Sequence, residues 1–212
     1  MNKLTLLSIV SLNCFLVFLS GCSSLDSNRQ AKIVTHQAQT ERNKKLATLT
    51  NWKIKGKIAV ITPDKKQAAT LNWHYQGDKN KQVLNLTTVL GIQVFSLESV
   101  NGMHIVEVNG ERYQNRDLNK ILSSLSGFAL PTQAMTLWLK GLPYLESDVL
   151  NYNLQTDLPE TLISYFDNKE WRVKYNDYRQ IEEYQLATKF SIKQGDFSIK
   201  INVHQWDVSI ND

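Results

Sequence analysis

One thiol stands where covalent chemistry is to be expected. Cys22 follows Leu19-Ser20-Gly21, which closes an apolar run from Leu4 preceded by Lys3. Thr5, Ser8, Ser11 and Asn13 interrupt that run, and it is shorter than the roughly 20 residues that cross a bilayer, so it reads as a cleaved signal. Small residues just before a cysteine are the mark of a bacterial lipoprotein signal. Cleavage would leave Cys22 carrying a diacylglyceryl group and a third chain on the new amino terminus. Each buried methylene contributes about 0.8 kcal/mol, so several chains hold a protein on a membrane almost permanently. Ser23 and Ser24, where an aspartate would favour retention at the inner membrane, point by analogy to the outer membrane and its periplasmic side.

Other chemistry is poorly represented. The second cysteine, Cys14, lies inside the signal, so the mature chain has no partner for a disulfide. His36, His74, His104 and His204 are scattered with no metal-ligand spacing, and there is no serine elbow or P-loop. Ser96-Leu97-Glu98 and Glu182-Glu183 offer carboxylates of the kind usually found on solvated faces. An enzyme is not expected, nor any metal or cofactor. The chain has 24 basic and 20 acidic residues; loss of Lys3 with the signal leaves 23 against 20, a net charge of +3. That excess does not suggest a nucleic-acid partner.

These residues need a scaffold, and its parts are legible in order. Residues 1–21 are the signal. Residues 22–50 are the lipidated amino terminus: a tether first, then a helix leaning on the domain through a thin stripe that includes Leu46 and Leu49. Residues 51–212 suit one domain with a sizeable core. Trp52, Ile54, Gly56, Ile58 and Val60 alternate with Lys53, Lys55 and Lys57, which is a half-buried strand. Further strands follow a turn at Pro63-Asp64: Ala69 to Tyr75, a stretch around Leu84 and Leu86, about Ile92 to Glu98, and Met103 to Val108. Asn109-Gly110 is a hairpin turn into Glu111 to Gln114.

Two helices interrupt the meander. Asp117 caps the first, with Leu118, Ile121, Leu122 and Leu125 at helical spacing and Gly127 to end it. The second runs from about Pro131 to Gly141, with Met135, Trp138 and Leu139 along one side, either as ordinary core or as the cover of something hollow. Strands resume near Tyr152 to Gln155, Trp171 to Tyr175, Thr188 to Lys193 and Phe197 to Trp206. The expected fold is mainly β: a strongly curved antiparallel sheet or open barrel with a helical cover.

The order of features resembles the LolB family, outer-membrane receptors that take lipoproteins from the periplasmic carrier LolA. The matching pieces are Leu19 to Cys22, Trp52 to Ala59, Ala69 to Trp73, Val89-Leu90-Gly91, Gly127 to Pro131, Leu137 to Pro143, Glu170 to Tyr175 and Ile199 to Trp206. Gly56-Lys57 stands where the family commonly has Gly-Arg, and Val89-Leu90-Gly91 where it has Pro-Leu-Gly. A Leu-Pro pair is absent around Ala187-Thr188. The resemblance implies an open, strongly curved antiparallel β-barrel, a half-barrel with a helical lid over an apolar cavity for cargo acyl chains, with outer-membrane lipid, LolA and acylated lipoproteins as partners, and a monomer is expected. Its candidate lining is Trp52, Ile54, Ile58, Leu71, Trp73, Leu84 and Leu86, then Met135, Trp138 and Leu139, then Ile199 and Ile201.

Val89, Leu90 and Gly91 also stand out by themselves, because a turn between two strands should be polar and this one is not. An exposed leucine there would contribute about 1.5 to 3 kcal/mol on entering lipid, enough to orient an anchored domain. The family's matching leucine serves membrane insertion of cargo, and that role falls on Leu90. The other reading is a buried strand continuing through Val89, Leu90 and Ile92. A purely structural or protein-binding outer-membrane lipoprotein remains the alternative function. Cys22→Ala is expected to abolish incorporation of labelled fatty acid and to release the processed domain into the soluble fraction. A processed variant that still sedimented with membranes would overturn the anchor reading.

Overall fold

The computed structural model describes residues 26–126 and 130–208, with side chains from His36 onward. Cys22, the signal and Gly127 lie outside the described residues. The chain divides into a unit of residues 1–40 and a unit of residues 41–212. Helix α1 spans Asp26–Ala47, so the stretch expected to be a tether is helical from Asp26 onward. All described buried residues fall between Leu46 and Trp206, so the second unit contains its whole core.

Eleven antiparallel strands form one open sheet in the order β6-β5-β4-β3-β2-β1-β11-β10-β9-β8-β7. They are β1 (Asn51–Ile61), β2 (Lys66–Gln76), β3 (Lys81–Thr87), β4 (Gln93–Val100), β5 (Met103–Val108), β6 (Glu111–Asn115), β7 (Val149–Tyr152), β8 (Pro159–Phe166), β9 (Lys169–Ile181), β10 (Tyr184–Gln194) and β11 (Phe197–Asp207). The first and last strands pair with each other, so the meander closes on its own ends in sequence while the sheet edges β6 and β7 stay apart.

Alternation decides which side each strand buries. Along β1, Trp52, Ile54 and Ile58 are buried while Lys55 and Lys57 are exposed. Register carries the same face across the sheet: Val106 lies opposite Leu97, Leu97 opposite Leu84, Leu84 opposite Trp73, and Trp73 opposite Ile54. Gly56 falls at a bulge in β1, and a Cβ there would come 2.2 Å from the Asn202 carbonyl oxygen. A side chain would push β11 away where the sheet must bend. In β4, Phe95 turns toward the core and its neighbour Val94 is exposed.

Helix α2 (Leu118–Ser126) starts as expected: the Asp117 carboxylate accepts from the Asn119 and Lys120 amides at 3.0 and 3.3 Å. Its Leu118, Ile121 and Leu122 pack on Leu97 and Val106. Helix α3 is shorter than expected, Thr132–Trp138, with Pro131 as its N-cap residue rather than its first helical one. Gly141, at φ +71°, turns the chain away after it.

Two differences from the sequence reading concern β7 and β8. The strand expected near Tyr152 to Gln155 ends at Tyr152, because the Asn153 side chain accepts from the Gln155 and Thr156 amides and makes a turn instead. Strand β8 went unread. Its signal was the Asp167-Asn168 pair, both at positive φ, which is a two-residue hairpin turn between β8 and β9.

Gly56→Val is expected to lower stability by about 2 kcal/mol or more, read as a lower urea midpoint. An unchanged midpoint would mean that β11 yields freely at the bulge.

Candidate functional site

Two features combine apolar chemistry with unusual placement: the β3–β4 turn and the concave interior. In the turn, the Thr88 amide donates to the Ile92 carbonyl at 2.8 Å and the Gly91 amide to the Thr88 carbonyl at 3.0 Å. The Thr88 hydroxyl oxygen accepts from the Ile92 amide at 3.2 Å. Gly91 takes φ +83°, a conformation glycine adopts without steric cost. The backbone is thereby satisfied locally, and the side chains are left outside. Val89 is 97% exposed, Leu90 86% and Ile92 62%. The alternative of a buried strand continuing through them is excluded.

The interior gathers every residue expected to line it. Trp52, Ile54, Ile58, Leu71 and Trp73 are buried in one cluster with Ile199 and Ile201. Met135, Trp138 and Leu139 come down into the same cluster from α3 and the residue after it, and Leu84 and Leu86 pack against its margin. Trp52 sits at an aromatic junction, 5.2 Å from Trp73, 5.3 Å from Tyr75 and 5.7 Å from Trp206 between ring centroids. Trp138 lies 6.3 Å from Trp171, which in turn lies 6.1 Å from Phe197. These side chains fill the concave side as a packed core.

Polar groups inside that core are unevenly served. The Trp73 indole N–H donates to Gln82 at 3.1 Å, and the Trp206 indole N–H to the Ala187 carbonyl at 3.0 Å. The indole N–H groups of Trp52 and Trp138 and the hydroxyls of Tyr175 and Ser164 have no partner among the described residues. An unmet buried donor costs about 1–3 kcal/mol. Packing of the surrounding apolar surface must offset it.

Lys140 was missed by the sequence reading. Its signal was a lone cation inside Leu137-Trp138-Leu139-Lys140-Gly141-Leu142. The ammonium is buried and donates to the Leu46 and Leu49 carbonyls at 3.1 and 2.8 Å. It thus neutralises the negative end of α1 from inside the domain. The Arg42 guanidinium answers it, donating to the Lys140 and Gly141 carbonyls at 3.2 and 3.4 Å. A Cβ at Gly141 would come 3.1 Å from that guanidinium, so the arginine would have to shift by a few tenths of an ångström. Burial lowers the Lys140 ammonium from the ordinary 10.5 to about 8 and draws Arg42 below its ordinary value. Burial also raises the Tyr175 and Tyr178 hydroxyls above the usual phenol range. Of the histidines, His104 is tied through Nδ1 to the Ser99 hydroxyl at 2.7 Å, and burial lowers its affinity for a proton.

The description "Outer membrane lipoprotein LolB" belongs to a family model that matches residues 50–206, from the start of β1 almost to the end of β11 with α2 and α3 between. The chain belongs to the LolB family. Among relatives, the LolB of Shewanella frigidimarina is 31% identical over 198 residues, covering 93% of this chain and 92% of that one. The LolB of Aeromonas salmonicida is 28% identical over 204 residues, covering 96% and 97%. In fold the chain is similar to a LolA-superfamily protein from Nitrosomonas europaea, with a TM-score of 0.54 at 8% identity over 83% of this chain and 94% of that one. A DUF1329-family protein from Desulfovibrio piger gives 0.54 at 9% identity, covering 83% and 95%. As a member of that family, the chain is an outer-membrane lipoprotein concerned with lipoprotein localisation.

The Lys140 contacts predict a pH dependence. Folded Lys140 releases its proton near pH 8 and the unfolded chain near 10.5, so between them the unfolded state binds more protons and stability rises with pH. Above about pH 10 the raised Tyr175 and Tyr178 hydroxyls reverse the sign. Urea unfolding of wild type is expected to gain on the order of 2 kcal/mol between pH 8 and 10, and Lys140→Met to lose that rise. A rise that persists in the variant would assign it to other groups.

Proposed function

We propose that this protein accepts acylated lipoproteins from the carrier LolA, holds their acyl chains in its concave interior and inserts them into the outer membrane. The observation that carries the reading is the β3–β4 turn, with Val89 97%, Leu90 86% and Ile92 62% exposed on a domain whose family is membrane-anchored. Soluble proteins seldom hold three large apolar side chains out on one hydrogen-bonded turn without a partner for them. Leu90 alone gains about 1.5 to 3 kcal/mol in lipid, which orients the domain without anchoring it.

Energetics dictate the route. A triacylated cargo hides dozens of methylenes at about 0.8 kcal/mol each, so passage through water would cost tens of kcal/mol. Cargo therefore moves from one apolar environment to the next, and the transfer needs only small differences between favourable affinities. In this reading the space for acyl chains is the space that Met135, Trp138 and Leu139 fill. Helix α3 is the movable lid; its Trp138 N–H has no partner among the described residues, so that indole gives up no hydrogen bond when the helix lifts. The domain works as a monomer.

One observation favours a second reading, a structural or protein-binding lipoprotein: the concave side is filled by side chains. The two separate in one experiment. Chain beginning at Ser23 is mixed with a triacylated lipoprotein held by LolA, and the protein retaining the cargo is isolated; retention by this chain is expected, and no transfer to a folded domain supports the second reading. Leu90→Glu is expected to keep folding and cargo acceptance while cutting delivery into vesicles at least tenfold. Delivery at the wild-type rate would remove the role of the tip.

A further inference from the structure

The outer face of the sheet carries a second surface, one that the tip and the interior do not use. Because Ile58, Phe190 and Ile201 point into the core, their neighbours along each strand point outward. Lys57 lies opposite Asn202, and Asn202 opposite Lys189. In the next outward row Lys200 lies between Ala59 and Ser191, and Ser191 opposite Lys174. A shallow hollow of about 370 Å³ lies over these rows, where the small Ala59 and Ala68 leave room between Lys57, Lys189 and Lys200.

Charge on this face is largely uncompensated. Asp177 pairs with Lys189, and Glu170 with Arg172 at 2.9 Å. Among the described residues no ion pair engages Lys57, Lys174, Lys193 or Lys200. Position completes the case. Lys57 pairs with Thr70 and Thr70 with Thr87, the residue at the foot of the apolar turn. At about 4.8 Å per strand, the lysine rows begin about 10 Å from that foot, at the same end of the sheet.

We propose that this lysine-framed outer face, built on Lys57, Lys174 and Lys200, binds the anionic phospholipid headgroups of the bilayer into which the neighbouring tip dips. The inference rests on the tip reading above and deepens it. An apolar hook beside a basic face is the combination by which a peripheral protein adds headgroup attraction to shallow insertion. Aliphatic lysine stems around an alanine floor suit a phosphate carried at an apolar boundary. With the lysines set to one side of the tip, headgroup contact selects one rotation of the domain about it.

The test uses the chain beginning at Ser23, which keeps every described buried residue, with phosphatidylcholine vesicles made with and without phosphatidylglycerol. Wild type is expected to bind the anionic vesicles more tightly, with the increment lost in high salt. Lys57→Gln, Lys174→Gln and Lys200→Gln together are expected to remove on the order of a hundredfold of affinity for anionic vesicles, with binding to neutral vesicles and urea midpoint unchanged. Equal affinity of wild type for both vesicles overturns the proposal, as does an anionic preference that survives in the triple variant. Competition by millimolar inorganic phosphate would make this a soluble-anion site. A variant that binds vesicles normally but no longer takes cargo from LolA would make it a carrier-docking face. Either result also overturns the proposal. Leu90→Glu separates the two readings: it is expected to weaken binding to neutral vesicles and keep the anionic increment, whereas no effect on either would sink the tip reading and leave the lysine result standing.

Discussion

An open sheet of this width has one apolar face and nothing across from it, so the burial of that face is the constraint on which the rest depends. A closed barrel would fill its interior from its own strands. Here the sheet edges stay apart, and the interior is completed from outside the strands by Leu46 and Leu49 at the end of α1 and by Met135, Trp138 and Leu139 around α3. A short helix and a helix end have little hold by themselves. Lys140 and Arg42 supply it, binding the α3 turn and the α1 terminus through their backbone carbonyl oxygens.

That arrangement makes the cover both specific and separable. The sheet is tied strand to strand by backbone ladders. Helix α3, by contrast, meets it mostly through dispersion contacts and aromatic edges, with the Trp138 N–H unpaired. In the proposed reading, an acyl chain that took the place of this cover would exchange one apolar contact for another, so the cost would be that of side-chain reordering and not of exposed hydrocarbon. The few hydrogen bonds that do hold it are concentrated at one end, around Lys140.

The outside of the domain follows a different logic. Its apolar residues at the β3–β4 turn are paired with a backbone that satisfies itself, and its cations are spread over the convex face of the central strands. Neither feature contributes to folding in an evident way. Both carry a cost in water, one in exposed hydrocarbon and the other in like-charge repulsion, and both are relieved by the same kind of surface. The free edges are blunted in the ordinary manner: β7 is short, and β6 carries Glu111 and Arg112.

What could be read from residues alone was whatever rests on period and local turn chemistry. Alternation in Trp52 to Val60 assigned inward and outward faces, Asn109-Gly110 marked a hairpin, Asp117 marked a helix start, and the apolar Val89-Leu90-Gly91 announced an exposed tip, because each of these is decided within a few residues. Strand β8 escaped because Asp167-Asn168 is a hairpin only when both residues take positive φ, which pairing of Phe166 with Lys169 enforces. The ends of β9 and β10 escaped because pairing with a neighbour, and not composition, sets how far a strand runs. Tertiary structure alone decided that Lys140 caps α1 some ninety residues earlier and that Met135 and Trp138 plug the concave side. It also decided that lysines on four different strands meet on one face beside the tip, since register between strands distant in sequence is fixed only when the whole apolar face is buried at once.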